Sequence, residues 1–264
     1  MLIDFHSHAF ADKIVEKAMQ RLLSVAKIPN YSDGTISGLD NCLDKYGVDI
    51  SVMLPVATKP TQQTIINDWA KEVQDKYSRI YSFGSVHPFA DDVMEELERI
   101  KVLGLHGIKL HPDYQDFFID DERVFPVYRK CAELSLPVIF HAGWDPLSPD
   151  VVHAMPEASL KAHKAVPEMT MILAHGGGMR HWDDVEKHLV GEDIYFDTAM
   201  LCDYIEPEQL ERIIKNHGAD RILFGTDIPW HPADKERSLI QSLGISDDEK
   251  ELIFHENAER LLGI

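Results

Sequence analysis

The chain has 264 residues, 44% of them apolar and 27% charged, which gives a sizeable core under a solvated surface and suits one large barrel spanning 1–264. Its 26 Lys and Arg face 45 Asp and Glu, and a formal charge of −19 argues against nucleic acid, whose phosphates need positive charge. The sequence has no apolar run near the roughly 20 residues of a membrane span and no basic-then-apolar leader. Cys42, Cys131 and Cys202 lack CxxC spacing, so a reduced, cytoplasmic protein is expected, with Cys202 able to line a pocket.

Eight short β-rich runs are predicted in chain order: Leu2 to His8, Ile50 to Pro55, Ile80 to Val86, Leu105 to His111, Pro137 to His141, Met171 to His175, Ile194 to Asp197 and Ile222 to Asp227. Each precedes a segment with helical spacing or helix formers. Eight strands alternating with helices imply a parallel sheet closed into a (β/α)₈ TIM barrel. Helices are expected over Asp12 to Ala26, Thr61 to Tyr77, Asp91 to Leu103 (ended by Gly104) and Asp121 to Leu134. Ser246 with Glu249 forms a capping box for the last one, with Gly263 near its end. The connections Ala9 to Val48 and Ala142 to Glu168 exceed what a barrel requires, which makes them pocket walls or inert loops, with a hinge expected at Pro29 to Gly38.

His6 and His8 alternate at the end of the first strand, so both side chains can face the barrel mouth, where active sites of this architecture lie. An HxH pair alone is weak. Three more strand ends run from apolar residues into a metal-competent group: His141, His175 and Asp227. Such repetition on separate strands favours a functional cluster over scattered structural histidines.

The chain resembles the amidohydrolase superfamily, in particular the amidohydrolase-related branch that includes aminocarboxymuconate semialdehyde decarboxylase. The matching pieces are Asp4-Phe5-His6-Ser7-His8, Gly107-Ile108-Lys109-Leu110-His111-Pro112, His141-Ala142-Gly143, Ala174-His175-Gly176-Gly177, Gly225-Thr226-Asp227-Ile228-Pro229-Trp230 and Asn257 to Gly263. The resemblance implies a divalent metal, zinc foremost with manganese or another ion as the alternative, held by His6, His8, His141 and Asp227 with a position left open for water. It further implies metal-activated water, Asp227 as its proton acceptor, and His175 as a second acid/base or a stabiliser of substrate charge.

Lys109 and His111 share a strand face and can both reach the pocket. Lys109 reads as a cation for a substrate carboxylate, with a carbamylated lysine bridging two metals as the alternative. Trp144 and Trp230 follow site strands directly; Trp230 is a candidate pocket wall, or else packs under a loop. Gly176, Gly177 and Gly178 fit a tight strand-to-helix turn better than a phosphate cradle. The expected activity is metal-dependent hydrolysis of a small ester, lactone or amide. Nonoxidative decarboxylation of an unsaturated or aromatic acid at the same site is the runner-up, and a non-catalytic metal-binding protein comes third. The partner is a small, possibly anionic molecule, and a homo-oligomer is compatible with the sequence.

Overall fold

The computed structural model describes residues 1–264. Its strands are β1 (Ile3–Ser7), β2 (Ile50–Met53), β3 (Ile80–Ser82), β4 (Ile108–Leu110), β5 (Val138–Phe140), β6 (Met171–Leu173), β7 (Tyr195–Asp197) and β8 (Ile222–Leu223). They pair in parallel as β1-β2-β3 and as β4-β5-β6-β7-β8. Two seams close the ring. Between β3 and β4, Gly84 N donates to Gly107 O and Lys109 N donates to Gly84 O, both at 2.8 Å. Between β8 and β1, Phe5 N donates to Phe224 O (2.8 Å), Asp227 N to His6 O (2.8 Å) and His8 N to Ile228 O (2.7 Å).

Alternation along the strands sorts the apolar residues into two clusters. The smaller one fills the barrel: Ile3, Phe5, Val52, Leu54, Phe83, Ile139, Ile172 and Leu223, with Ala258 and Leu262 of the last helix. The larger one lies between strands and surrounding helices and includes Ile108, Leu110, Val138, Phe140, Met171 and Leu173. At roughly 25 cal/mol per Å² of apolar surface removed from water, these layers supply most of the driving force for folding.

The ordered ladders are shorter than the sequence pattern predicts, mainly at their carboxyl ends. The reason is local: His8, His111, His141, His175 and Asp227 lie past the ends of the regular strands, where the chain turns its polar side chains into the mouth. In β1 the register shifts between Asp4 and Ser7. That irregularity lets Phe5 fill the interior while its neighbour His6 faces the polar cluster, which strict alternation would forbid.

Helices span Val15–Ala26, Gln63–Lys76, Val93–Leu103 and Phe125–Glu133, near the predicted ranges. The last starts four residues later than expected because Asp121 Oδ1 accepts from Arg123 N in a local turn and Pro126 sits in the first helical turn. Within the presumed hinge, Thr35 Oγ1 accepts from Gly38 N and starts a helix over Ile36–Tyr46. Tyr31 N donates to Pro229 O at 2.7 Å, which seats this first long connection on the chain after β8. The Ser246–Glu249 capping box is formed, and the closing helix continues through a π turn at Leu252–Glu256 to Leu262.

Candidate metal centre

Asp4 aligns the two strands that meet at the β1/β8 seam. Its carboxylate accepts from His6 N (3.1 Å), Thr226 N (3.0 Å) and Thr226 Oγ1 (2.7 Å). Gly225 then leaves room for the ring: a Cβ there would lie 2.9 Å from His6 Cβ. His6, His8 and Asp227 therefore converge, with donor atoms within 4.8 Å of one another.

The hydrogen bonds fix which ring nitrogens carry lone pairs. His8 Nδ1–H donates to Leu54 O at 2.7 Å, and His6 Nδ1–H donates to Asp197 Oδ2 at 2.7 Å. Burial holds His6 well below the usual imidazole range, helped by the Lys109 charge, so the ring is neutral and Nε2 is bare. Yet His6 Nε2 and His8 Nε2 are 3.2 Å apart, and Asp227 Oδ1 lies 3.4 Å and 3.0 Å from them. Three acceptors aimed at one point repel one another unless a cation joins them. Burial pushes the Asp227 carboxyl up, and positive charge at the His8, His6 and His175 positions brings it down to about 2; with the rings neutral, a bound cation is what supplies that charge. This donor set fits a divalent metal ion.

His141 and His175 stand beside this group. His175 Nδ1–H donates to Ala199 O at 3.0 Å, so its Nε2 accepts from His141 Nδ1 at 3.1 Å. His141 Nε2 is left as a buried lone pair without a hydrogen-bond partner, since Asp145 Oδ2 at 3.8 Å is out of range. Its donor atoms group with those of His111 and Asp145 and not with the His6 set. His111 stacks on His141 (4.2 Å between centroids) and on Tyr114 (3.6 Å). Lys109 is buried, and its Nζ meets His6 Nε2 at 3.4 Å. Burial lowers its pKa to about 8, against the pull of Asp197, Asp227 and Asp145. Trp230 is half-buried in the turn closed by its N–H to Asp227 O (2.8 Å).

The loops after β5 and β6 are locked together. Met179 N donates to Ala142 O (2.9 Å) and Trp144 N to Met179 O (3.0 Å). Gly143 has φ +85°, and a Cβ there would meet Met179 N at 2.1 Å. Trp144 also lies 4.0 Å beneath the Arg180 guanidinium, which faces Tyr204 on its other side at 5.3 Å.

Two acidic residues escaped the sequence reading as site residues. Asp197 accepts from His6 Nδ1, from His175 N (2.8 Å) and from Ala199 N (3.0 Å), so one carboxylate orients two strands of the site. The only sequence signal was its place at the end of the seventh predicted strand. Asp145 lies four residues past His141, and burial raises its carboxyl to about 7. Nothing in its local pattern marked it.

The amidohydrolase family model matches residues 3–264. The chain is 26% identical over 273 aligned residues to a 2-keto-4-carboxy-3-hexenedioate hydratase from Sphingobium sp. strain NBRC 103272 / SYK-6, covering 81% of this chain and 78% of the relative. In fold it is similar to an uncharacterized TIM-barrel protein from Bordetella bronchiseptica, with a TM-score of 0.78 at 21% identity over 99% of this chain and 98% of the other. A 5-carboxyvanillate decarboxylase from Novosphingobium aromaticivorans, solved with bound manganese and 3-methoxy-4-hydroxy-5-nitrobenzoic acid, gives 0.72 at 15% identity, covering 100% and 97%. With the family match running through all eight strands and the polar cluster at their carboxyl ends, the chain belongs to the amidohydrolase family of (β/α)₈-barrel enzymes.

Proposed function

We propose that the protein is a metal-dependent lyase that decarboxylates a small unsaturated or aromatic carboxylic acid. The ion, zinc in this proposal, is held by His6, His8, His141 and Asp227. The observation that carries the reading is Lys109: a buried ammonium with no carboxylate ion pair, set against the donor cluster. A buried unpaired cation is costly, and a substrate carboxylate relieves it. Arg180, held between two rings on the neighbouring loops without an ion pair, adds a second positive group toward an acidic ligand. The names of the hydratase and decarboxylase relatives support the same substrate class, since both describe carboxylic acids.

When bound, the ion polarises a coordinated oxygen and lowers the pKa of coordinated water. The protein's residues do the rest. Lys109 fixes the carboxylate. The bond between carboxylate carbon and its neighbour breaks, carbon dioxide leaves, and the electron pair stays on the unsaturated carbon. That carbon takes a proton from His175 in its protonated form: Nε2, which accepts from His141 Nδ1 in the neutral ring, picks up a solvent proton and gives it to the carbon while Nδ1–H stays tied to Ala199 O. Asp197 keeps His6 and His175 oriented while charge shifts.

Hydrolysis of an ester, lactone or amide is the second reading, favoured by Asp227: a carboxylate held at about 2 is an anion at neutral pH and can accept a proton from attacking water. A panel of aromatic acids, unsaturated acids, lactones and esters decides between them. Carbon dioxide release without incorporation of solvent oxygen is expected. Turnover of a lactone or ester with solvent oxygen in the product, and none of any acid, overturns the decarboxylase proposal.

A further inference from the structure

A second cluster of metal-binding groups lies on the loops after β7 and β8, outside the centre described above. Cys202 Sγ is 3.5 Å from His231 Nε2 and 3.5 Å from Asp203 Oδ1, and His231 Nε2 is 3.0 Å from Asp203 Oδ2. Tetrahedral zinc with ordinary Zn–S, Zn–N and Zn–O lengths places such donors about 3.3 to 3.6 Å apart, so the sulfur edges already have the required size.

An independent feature orients these donors. Glu236 is fully buried; its Oε1 lies 2.9 Å from His231 Nδ1, and both its oxygens accept from Cys202 N at 3.2 Å. One carboxylate thus faces the ring from its far side as an ion-pair partner, although Nδ1 is not aligned for a hydrogen bond, and holds the cysteine backbone by hydrogen bonds. A carboxylate behind a ligating imidazole is the usual outer partner of a metal site, since it keeps the proton on Nδ1 and turns Nε2 to the ion. Exposure is graded toward an entry side: His231 is 3% exposed, whereas the Asp203 side chain is 49% exposed. Lys235 Nζ, 3.2 Å from Asp203 Oδ2, occupies the charge-balancing place and is itself 44% exposed, free to swing into solvent.

We infer that Cys202, Asp203 and His231 form a second site for a thiophilic divalent ion such as zinc, which clips the loop after β7 to the loop after β8. Binding replaces the thiol proton, which passes to solvent, and any proton on His231 Nε2. The fourth position is left to water or another donor, since three protein ligands are present. Tyr31, whose ring meets His231 edge-on at 6.3 Å, brings the first long connection to the same place, so the clip also steadies that wall.

Cobalt distinguishes this site from the His6 centre, because only this one contains sulfur. Metal-stripped wild-type protein titrated with Co²⁺ is expected to develop a thiolate-to-cobalt charge-transfer band in the near ultraviolet. The band should persist in the His6→Ala/His8→Ala variant and vanish in Cys202→Ser, which should bind one ion fewer than wild type. An arm without substitution uses the thiol itself. Cys42 and Cys131 are buried, so Cys202 is the cysteine open to alkylation, and saturating zinc should slow its alkylation at least tenfold. No band, or equal alkylation with and without zinc, overturns the inference and leaves His231 as an ion-paired link between Asp203 and Glu236. A Cys202→Ser protein that binds as many ions as wild type overturns it equally.

Discussion

Replacing Asp197 by Asn tests the centre without touching any of its expected ligands. The amide oxygen can still accept from His175 N and Ala199 N, as Oδ1 does now at 2.8 and 3.0 Å. The amide NH₂ then faces His6 Nδ1, where Oδ2 now accepts at 2.7 Å. Two donors cannot share that contact, so the His6 proton moves to Nε2, the atom that faces His8 and Asp227. Metal binding must reverse that shift. Loss of an outer-shell carboxylate costs about 10- to 100-fold in metal affinity, or roughly 1.4 to 2.7 kcal/mol at 25 °C. In the metal-free protein the hydrogen-bond count is kept, so the thermal midpoint in excess chelator should move little. Competition against a chromophoric chelator measures the affinity, and a melt in chelator measures the fold. An Asp197→Asn protein that binds its first ion within twofold of wild type would refute the tautomer argument and the ligand set built on it.

Lys109→Met should keep about one ion at the His6 centre but weaken an anionic substrate by roughly 1.5 to 3 kcal/mol, the worth of a charged hydrogen bond; two ions there in the parent and loss of one in the variant would instead identify a carbamate bridge. Gly143→Ala combines a positive φ with a Cβ placed 2.1 Å from Met179 N, so chemical denaturation should show a loss of about 2 to 5 kcal/mol; a loss under 1 would mean that the two loops are not locked. His217 Nδ1 accepts from Gly191 N (3.1 Å) and its Nε2–H donates to Ile194 O (2.8 Å). Burial lowers its pKa below the ordinary 6.5, partly offset by the bond to Ile194. Between the folded value and 6.5 the unfolded chain binds more protons, so stability should fall as pH drops through 6.5 toward the folded value. Denaturant midpoints across that range should be flatter in His217→Gln than in wild type, and parallel curves would contradict this assignment.

The barrel was legible because its signal is repetitive: eight apolar runs, six of them ending in His or Asp, each short enough to be a strand and each followed by helical spacing or helix formers. His6, His8 and Asp227 came together because all three sit at strand ends, a position that sequence reveals. Asp197 is at a strand end too, but a single acidic residue there carries no spacing pattern, and its role depends on a hydrogen bond to a residue 191 positions away. Asp145 and Arg180 lie in loops, where side-chain direction follows from tertiary contacts and not from a period, and Glu236 is an acidic residue in the first turn of the helix Ala233–Ser242, where a dipole-favoured surface charge is the ordinary reading. The break of alternation at Phe5 and His6 was equally hidden, since a register shift belongs to the pair of strands and not to either one alone.

The β1/β8 seam also constrains the order in which the molecule can be assembled. Asp4 and its partner Thr226 are 222 residues apart, so during synthesis the first strand emerges long before the strand that completes its outer edge. Until then the Phe5 and His8 amides and the Asp4 carboxylate have no native partner on that side, and β1 stays an open edge able to pair with another nascent chain. Contacts of such long sequence separation form late and slowly. Damage to the Asp4–Thr226 latch should therefore appear first as a lower soluble yield from cells, with the surviving fraction still correctly built: the stretch made earliest is the last to be enclosed.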